Sequence, residues 1–182
     1  VRLWDVQSRQ SLLPPLPHTE GVASVTFDPS GERLLSVDAG GVARLWDIAG
    51  AETPERFVGE FGNVSGAAFS SDGKVLATGD FDFGARLWDA ATLRPLGPLL
   101  AQRGLLQSIA LSPDGKTLAT SSDDGNVWLW DAARGKRLRT LPHGESISWG
   151  RLAFSPDGKT LATTTWSRQV RLWDVPTGRR IG

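Results

Sequence analysis

Apolar residues along the chain fall into short runs separated by polar, turn-forming clusters. "VASVTF" precedes the cluster "DPSG" (Asp28 to Gly31) and "RLLSV" follows it. Later copies read "SGAAF" then "KVLAT", "QSIAL" then "KTLAT", and "GRLAF" then "KTLAT", around "SSDG" (Ser70 to Gly73), "SPDG" (Ser112 to Gly115) and "SPDG" (Ser155 to Gly158). Runs this short, bounded by Gly, Pro, Asp and Ser, predict strands rather than helices. In the turns Pro presets the second position, Asp folds back on the backbone, and Gly supplies the positive φ of a tight hairpin. A second loop such as "SDDGN" (Ser122 to Asn126) leads to a strand containing "LWD". A polar turn and a fourth segment complete the unit: "QSLLPPLP", "PERFVG", "LRPLGPLL", "KRLRTLP" and "GRRIG".

The unit repeats. Trp4, Trp46, Trp88, Trp130 and Trp173 are each followed by Asp, and "VRLWDV" occurs at both residues 1–6 and 170–175. The tryptophans lie 42, 42, 42 and 43 residues apart, a period of four strands.

Proline assigns the strands their places. Of 11 prolines, Pro29, Pro113 and Pro156 sit in the first turn, and the other eight lie in the fourth segment or the turn leading to it. Proline cannot donate to a ladder, so the fourth strand is predicted to be the exposed edge of each sheet. Its arginines, including Arg56, Arg94, Arg137 and Arg139, suit an edge guarded against pairing with other chains. The first strand is lined instead with Gly66, Ala67, Ala68 and Ala110, small residues that fit where sheets converge. The spacing of Val22, Val25 and Phe27 breaks strict alternation, which predicts a bulge or burial on both faces. Four-stranded sheets stacked around an axis in this way make an all-β propeller.

Five Trp-Asp pairs in register with four such turns resemble the WD-repeat family over essentially the whole chain, and "FSPDGKTLAT" resembles bacterial members. The resemblance implies a β-propeller of four-stranded antiparallel blades, with four complete repeats and an N-terminal half blade. The expected divisions are 1–17 (third and fourth strands of a blade), 18–59, 60–101, 102–142 and 143–182. With a first residue inside a repeat and no Met, the sequence reads as an excerpt whose remaining blades lie in a longer parent chain.

The family resemblance also implies a buried network of His, Ser or Thr, Asp and Trp in each repeat. The matching positions are His18, Ser36 and Trp46, with Gly40 in the Asp column; then Thr78, Asp82 and Trp88, with Glu60 in the His column. The third repeat has Thr120, Asp124 and Trp130, with Gln102 in the His column. The fourth has Thr163 and Trp173, with His143 shifted by one residue and Ser167 in place of Asp. Moderate stability is expected, because no repeat has all four members. Both histidines read as scaffold rather than as general bases or ligands.

Composition narrows the chemistry. Lys plus Arg and Asp plus Glu both total 20, which argues against nucleic-acid or anionic-membrane partners. Absent Cys removes disulfides and thiolate chemistry, and absent Tyr removes a sialidase nucleophile although "SSDDGNVW" resembles an Asp-box. No G-x-S-x-G, P-loop or dinucleotide pattern occurs. The acid pairs Asp80/Asp82 and Asp123/Asp124 lack the dense alternating ligands of a calcium loop. No cofactor and no enzymatic activity are expected, and a cytoplasmic setting is. Arg2, Arg44, Arg86 and Arg171 precede their tryptophans by two residues, with Trp128 in the third repeat, and read as a repeat preference.

Departures from the repeat carry the functional reading. Phe81, Phe83, Trp149 and Trp166, with Asp123 and Arg168, fall in or beside loops that the resemblance places on the top face. They are the candidate anchors for a protein or peptide partner. The expected function is a non-catalytic interaction scaffold. An alternative is the regulatory propeller of a larger kinase or NTPase.

Overall fold

The computed structural model describes residues 1–49, 55–58, 64–80, 84–144, 151–165, 167 and 169–182. Fifteen strands and no helix are found among them. The first sheet contains β1 (Val22–Phe27), β2 (Arg33–Asp38), β3 (Val42–Asp47) and β4 (Glu55–Val58). The second contains β5 (Val64–Phe69), β6 (Val75–Asp80) and β7 (Gly84–Asp89). The third contains β8 (Leu106–Leu111), β9 (Thr117–Ser122), β10 (Asn126–Asp131) and β11 (Lys136–Pro142). The last contains β12 (Leu152–Phe154), β13 (Thr160–Thr164), β14 (Val170–Asp174) and β15 (Arg179–Arg180). Each sheet is an antiparallel meander in chain order, so every unit is a blade, and in the three four-stranded sheets the fourth strand is outermost.

Two fourth segments differ from the expectation of a full strand. In the second blade, isolated bridges Ala85↔Leu100 and Trp88↔Pro95 replace β pairing. Pro95 and Pro98 remove ladder donors there, and Gly97 adds none of the side-chain packing that holds a strand. At the N-terminus, expected to supply two strands, one bridge (Trp4↔Ser11) joins two arms that run past Pro14 and Pro15. Leu12 N–H donates to Leu3 C=O at 3.0 Å and Leu16 N–H to Val1 C=O at 2.9 Å, so a hairpin survives.

The bulge expected in the first strand is present in three blades. Register slips by one residue between Val22 and Ser24, between Val64 and Gly66, and between Leu106 and Ser108. Burial on both faces does not hold for β1, where Val25 and Phe27 are half exposed.

First strands pack on first strands: β1 on β5, β5 on β8, and β8 on β12. Gly79 marks a close approach. A Cβ there would lie 2.7 Å from both Ile109 Cγ2 and Leu106 Cδ2 of the next blade. Apolar clusters fill each junction, with Leu76, Trp88 and Val64 under Leu35 and Leu45, and Leu161 and Trp173 under Leu129 and Leu141. Arg33 ties the first junction further, donating to Ala90 C=O at 2.9 Å and Gly73 C=O at 3.1 Å.

Candidate functional site

A meander puts its first and third turns at one end and its middle loop and inter-blade connection at the other. At the turn end the chemistry is internal. Ser70, Ser112 and Ser155 hydroxyls donate to Asp72, Asp114 and Asp157 at 2.6, 2.7 and 2.6 Å. The same hydroxyls accept from Val75, Thr117 and Thr160 N–H at 3.0, 2.8 and 2.9 Å. In "DPSG" the two residue types exchange roles: Ser30 donates to Asp28, which accepts from Arg33 N–H at 3.0 Å. Gly31, Gly73, Gly115 and Gly158 all have φ near +70°, at 74, 68, 68 and 70°.

The aspartate after each tryptophan folds the second hairpin turn. Asp89 accepts from Thr92 N–H at 2.7 Å, Asp131 from Arg134 N–H at 2.9 Å, and Asp174 from Thr177 N–H at 2.8 Å. These bonds hold the Asp89 and Asp174 carboxyls below the usual carboxylate range; Thr92 N–H leads at Asp89 and the Thr177 hydroxyl at Asp174.

Inside the blades the predicted network exists as a chain of three side chains. Trp46 Nε1–H donates to Ser36 Oγ at 2.7 Å, and His18 Nε2 lies 2.6 Å from the same oxygen. Trp173 Nε1–H donates to Thr163 Oγ1 at 3.0 Å, with His143 Nε2 at 2.7 Å. His18 and His143 Nδ1 lie 3.0 and 3.1 Å from the carbonyls of Leu16 and Leu141. A carbonyl can only accept, so Nδ1 carries the imidazole proton, and in the neutral ring the hydroxyl that takes the indole N–H donates to Nε2. Every ring nitrogen of the two histidines is paired. His143, shifted by one residue in sequence, fills the same place as His18. Their rings tilt against Trp173 and Trp46 at the same 43°.

In the third blade Gln102 substitutes for His. Trp130 Nε1–H donates to Thr120 Oγ1 at 2.9 Å, and Thr120 donates on to Gln102 Oε1 at 2.5 Å. Asp124, expected in this network, is outside it. Its carboxylate accepts the N–H of Asn126 at 3.0 Å within its own loop, because Gln102 already supplies the acceptor. In the second blade Trp88 Nε1–H donates to Thr78 at 2.9 Å, while Asp82 lies outside the described residues.

A further pair was not foreseen. Asp38, buried at the end of β2, receives Arg44 Nη1 and the N–H of Val42. Burial works to raise its pKa, but the hydrogen bond from Arg44 and that from Val42 outweigh it and leave the carboxyl below its ordinary range. The signal was available as joint variation between two columns. Asp38, Asp80 and Ser122 end the second strands and Thr165 directly follows the last of them; Arg44, Arg86, Trp128 and Arg171 occupy the third. Trp128 replaces Arg where Asp is replaced by Ser, and Arg171 donates instead to His143 C=O at 2.6 Å where Thr replaces Asp. In the second blade, Asp80 and Arg86 line a cleft with Val64, Thr78, Trp88 and Leu99, with about 10 Å³ of space, roughly one water.

At the loop end, Asp123 is the one predicted anchor that is described. Its carboxylate accepts Leu105 N–H at 2.7 Å, and Ser122 donates to Arg103 C=O at 2.7 Å. Together they clasp the middle loop to the inter-blade connection. Phe81, Phe83, Trp149, Trp166 and Arg168 lie outside the described residues.

The family model described as "WD domain, G-beta repeat" matches residues 10–47, 54–89, 96–131 and 135–174. The sequence matches no curated protein. Among solved structures it is similar to the computationally designed Ika8 protein, at 20% identity and a TM-score of 0.84. That alignment covers 98% of this chain and 54% of the designed one, so the chain spans about half the length of this structural neighbour.

Proposed function

This chain belongs to the WD-repeat family, whose repeats generally act as protein-interaction scaffolds, and from that premise we propose that it binds a protein or peptide through its loop end. One observation carries the reading: the two ends differ in how their polar groups are used. At the turn end, aspartates recur in the same columns and are engaged by their own hairpins. At the loop end the sequences diverge, as "DAGG", "DFDFG", "SDDGN" and "TWSRQ", and the aromatic departures collect there. A rigid blade stack with variable loops at one end suits recognition, since binding groups are commonly loops held by a fixed scaffold. Aromatic anchors are typical of interface centres.

The test is a display-selected peptide ligand of the chain. Phe81→Ala and Trp166→Ala should each weaken it by about 2 kcal/mol or more, the usual scale of a hot spot, with little change in melting temperature. Lys159→Ala, an exposed change at the turn end, should leave affinity unchanged. Ligands that ignore the loop substitutions, or loop substitutions that unfold the chain, overturn the assignment.

A further inference from the structure

We propose that the outer edge of β11, on the rim between the third and fourth blades, accepts an extended acidic peptide as an added strand. This site lies on the rim and is independent of the loop-end reading.

Length sets β11 apart. Among the described residues it runs seven, against two for β15, while the second blade has isolated bridges in this place. It is outermost in its sheet, and no described strand pairs with its far side. An edge strand leaves alternate N–H and C=O groups facing outward, the backbone template that strand addition uses.

Specificity needs a side-chain pocket, and a bulge supplies one. The partner of Leu129 is Arg139 while that of Trp130 is Arg137, so Leu138 is the extra residue. A bulge re-aims its side chain. Leu138 is half exposed and stands at a groove of about 390 Å³ shared with Leu129, Val175 and Pro176. An apolar side chain from an added strand fits there.

Charge selects the partner. Lys136, Arg137 and Arg139 are exposed along the strand, and Arg179 and Arg180 are exposed on the neighbouring blade. The aspartates beside them are engaged: Asp131 by Arg134, and Asp174 by Thr177. Arg137 stacks over the Trp128 ring at 4.7 Å, and Arg139 reaches Pro176 C=O, so two of the cations are held in place. Like charges directly opposite one another destabilise a strand pair. The cations that repel a second copy of β11 therefore favour a strand bearing carboxylates, and the same residues guard the edge and choose its partner.

The experiment is an NMR titration of the ¹⁵N-labelled chain with a capped peptide of alternating Glu and Val. Parallel arms use the Lys-Val counterpart and a Glu-Val peptide with Pro-Pro in place of its central Glu-Val pair, so that one lost N–H faces the ladder in either orientation. The Glu-Val peptide should bind with a dissociation constant below about 1 mM, with shifts confined to residues 136–142 and the groove. The Lys-Val peptide should bind about tenfold or more weakly, and the Pro peptide should lose binding because it cannot join the ladder. Lys136→Glu should weaken the Glu-Val peptide, and Leu138→Asp, an exposed change, should do so with the fold intact by circular dichroism. No binding, shifts at the loop end, or equal binding of the Pro or Lys-Val peptide would each overturn the proposal.

Discussion

Replacing Thr163 by Val tests whether the Trp–hydroxyl–imidazole chain stabilises the fold or merely decorates it. Valine matches the shape of threonine, so no cavity opens and the change removes one oxygen. Thr163 is fully buried, Trp173 is 4% exposed and His143 is 5% exposed. The indole N–H and the imidazole Nε2 would both lose their partner away from solvent. Each unsatisfied buried group costs about 1–3 kcal/mol, so Thr163→Val should destabilise by about 2–5 kcal/mol. In the first blade His18 is only partly buried, and in the third so is Gln102; water can replace the lost partner there. Ser36→Ala and Thr120→Val should therefore cost less, about 1–3 kcal/mol each, mainly for the stranded indole.

Urea unfolding followed by circular dichroism gives the midpoints, with an unchanged slope showing that stability alone has moved. Repeat arrays can lose cooperativity, so hydrogen exchange of the Trp173 indole should report the fourth blade separately. The ordering Thr163→Val above Thr120→Val is the decisive result. A Thr163→Val cost within about 0.5 kcal/mol of zero, the range of an ordinary surface change, would refute the reasoning.

Three other outcomes follow from the same geometry. Burial, ahead of the opposing Leu16 carbonyl, holds the His18 pKa below its ordinary value, so its contribution to stability is complete above about pH 6.5 and is lost as pH falls below that. Melting temperature should drop between pH 7.5 and pH 5.5, and His18→Gln, the side-chain type of Gln102, should flatten that part of the profile; an unchanged slope in the variant contradicts the assignment. Gly79→Ala should destabilise by about 1–3 kcal/mol through overpacking against Leu106 and Ile109, measured by urea midpoint, and a neutral result would mean that the blade junction yields. Half-exposed Val25 and Phe27 at one end of the stack, with Val170 at the other, should make the chain associate with rising concentration, and Phe27→Glu should reduce this; light scattering that shows a monomer throughout would count against it.

The fold was legible because each column was written several times. One Trp-Asp pair means little, but Ser112, Asp114 and Gly115 recurring as Ser155, Asp157 and Gly158 expose a turn whose hydrogen bonds can be named in advance. The inner position of the first strand was legible from the same comparison, since Gly66 and Ala110 are small where strands are otherwise bulky. Reading columns singly hid the Asp38–Arg44 pair. The arginine column looked like a preference until it was set beside the residues ending the second strand. Asp124 misled for the opposite reason. It stands in the right column, but an aspartate two residues before a free N–H can fold onto its own loop, and the sequence does not say which acceptor prevails. Proline count, too, marked the fourth segments as edges without showing that β11 would run seven residues.

The repeated residues and the departures from them do different physical work. Ser70, Ser112 and Ser155, the post-tryptophan aspartates and the network hydroxyls of Ser36, Thr120 and Thr163 have their hydrogen bonds filled within a blade, so they fix the stack and offer a partner little. Trp128 is the opposite case: it leaves the arginine column, stacks on Trp130 at 6.1 Å and lies beneath Arg137. The one tryptophan that breaks the column thus sits beneath the longest outer strand among the described residues, holding a cation in place on its surface. A departure that is costly to the internal pattern and organises an exposed charge points outward, toward recognition. The aromatic residues of the divergent loops follow the same logic at the other end of the blades. In this chain, interaction is to be sought where the repeat fails to repeat.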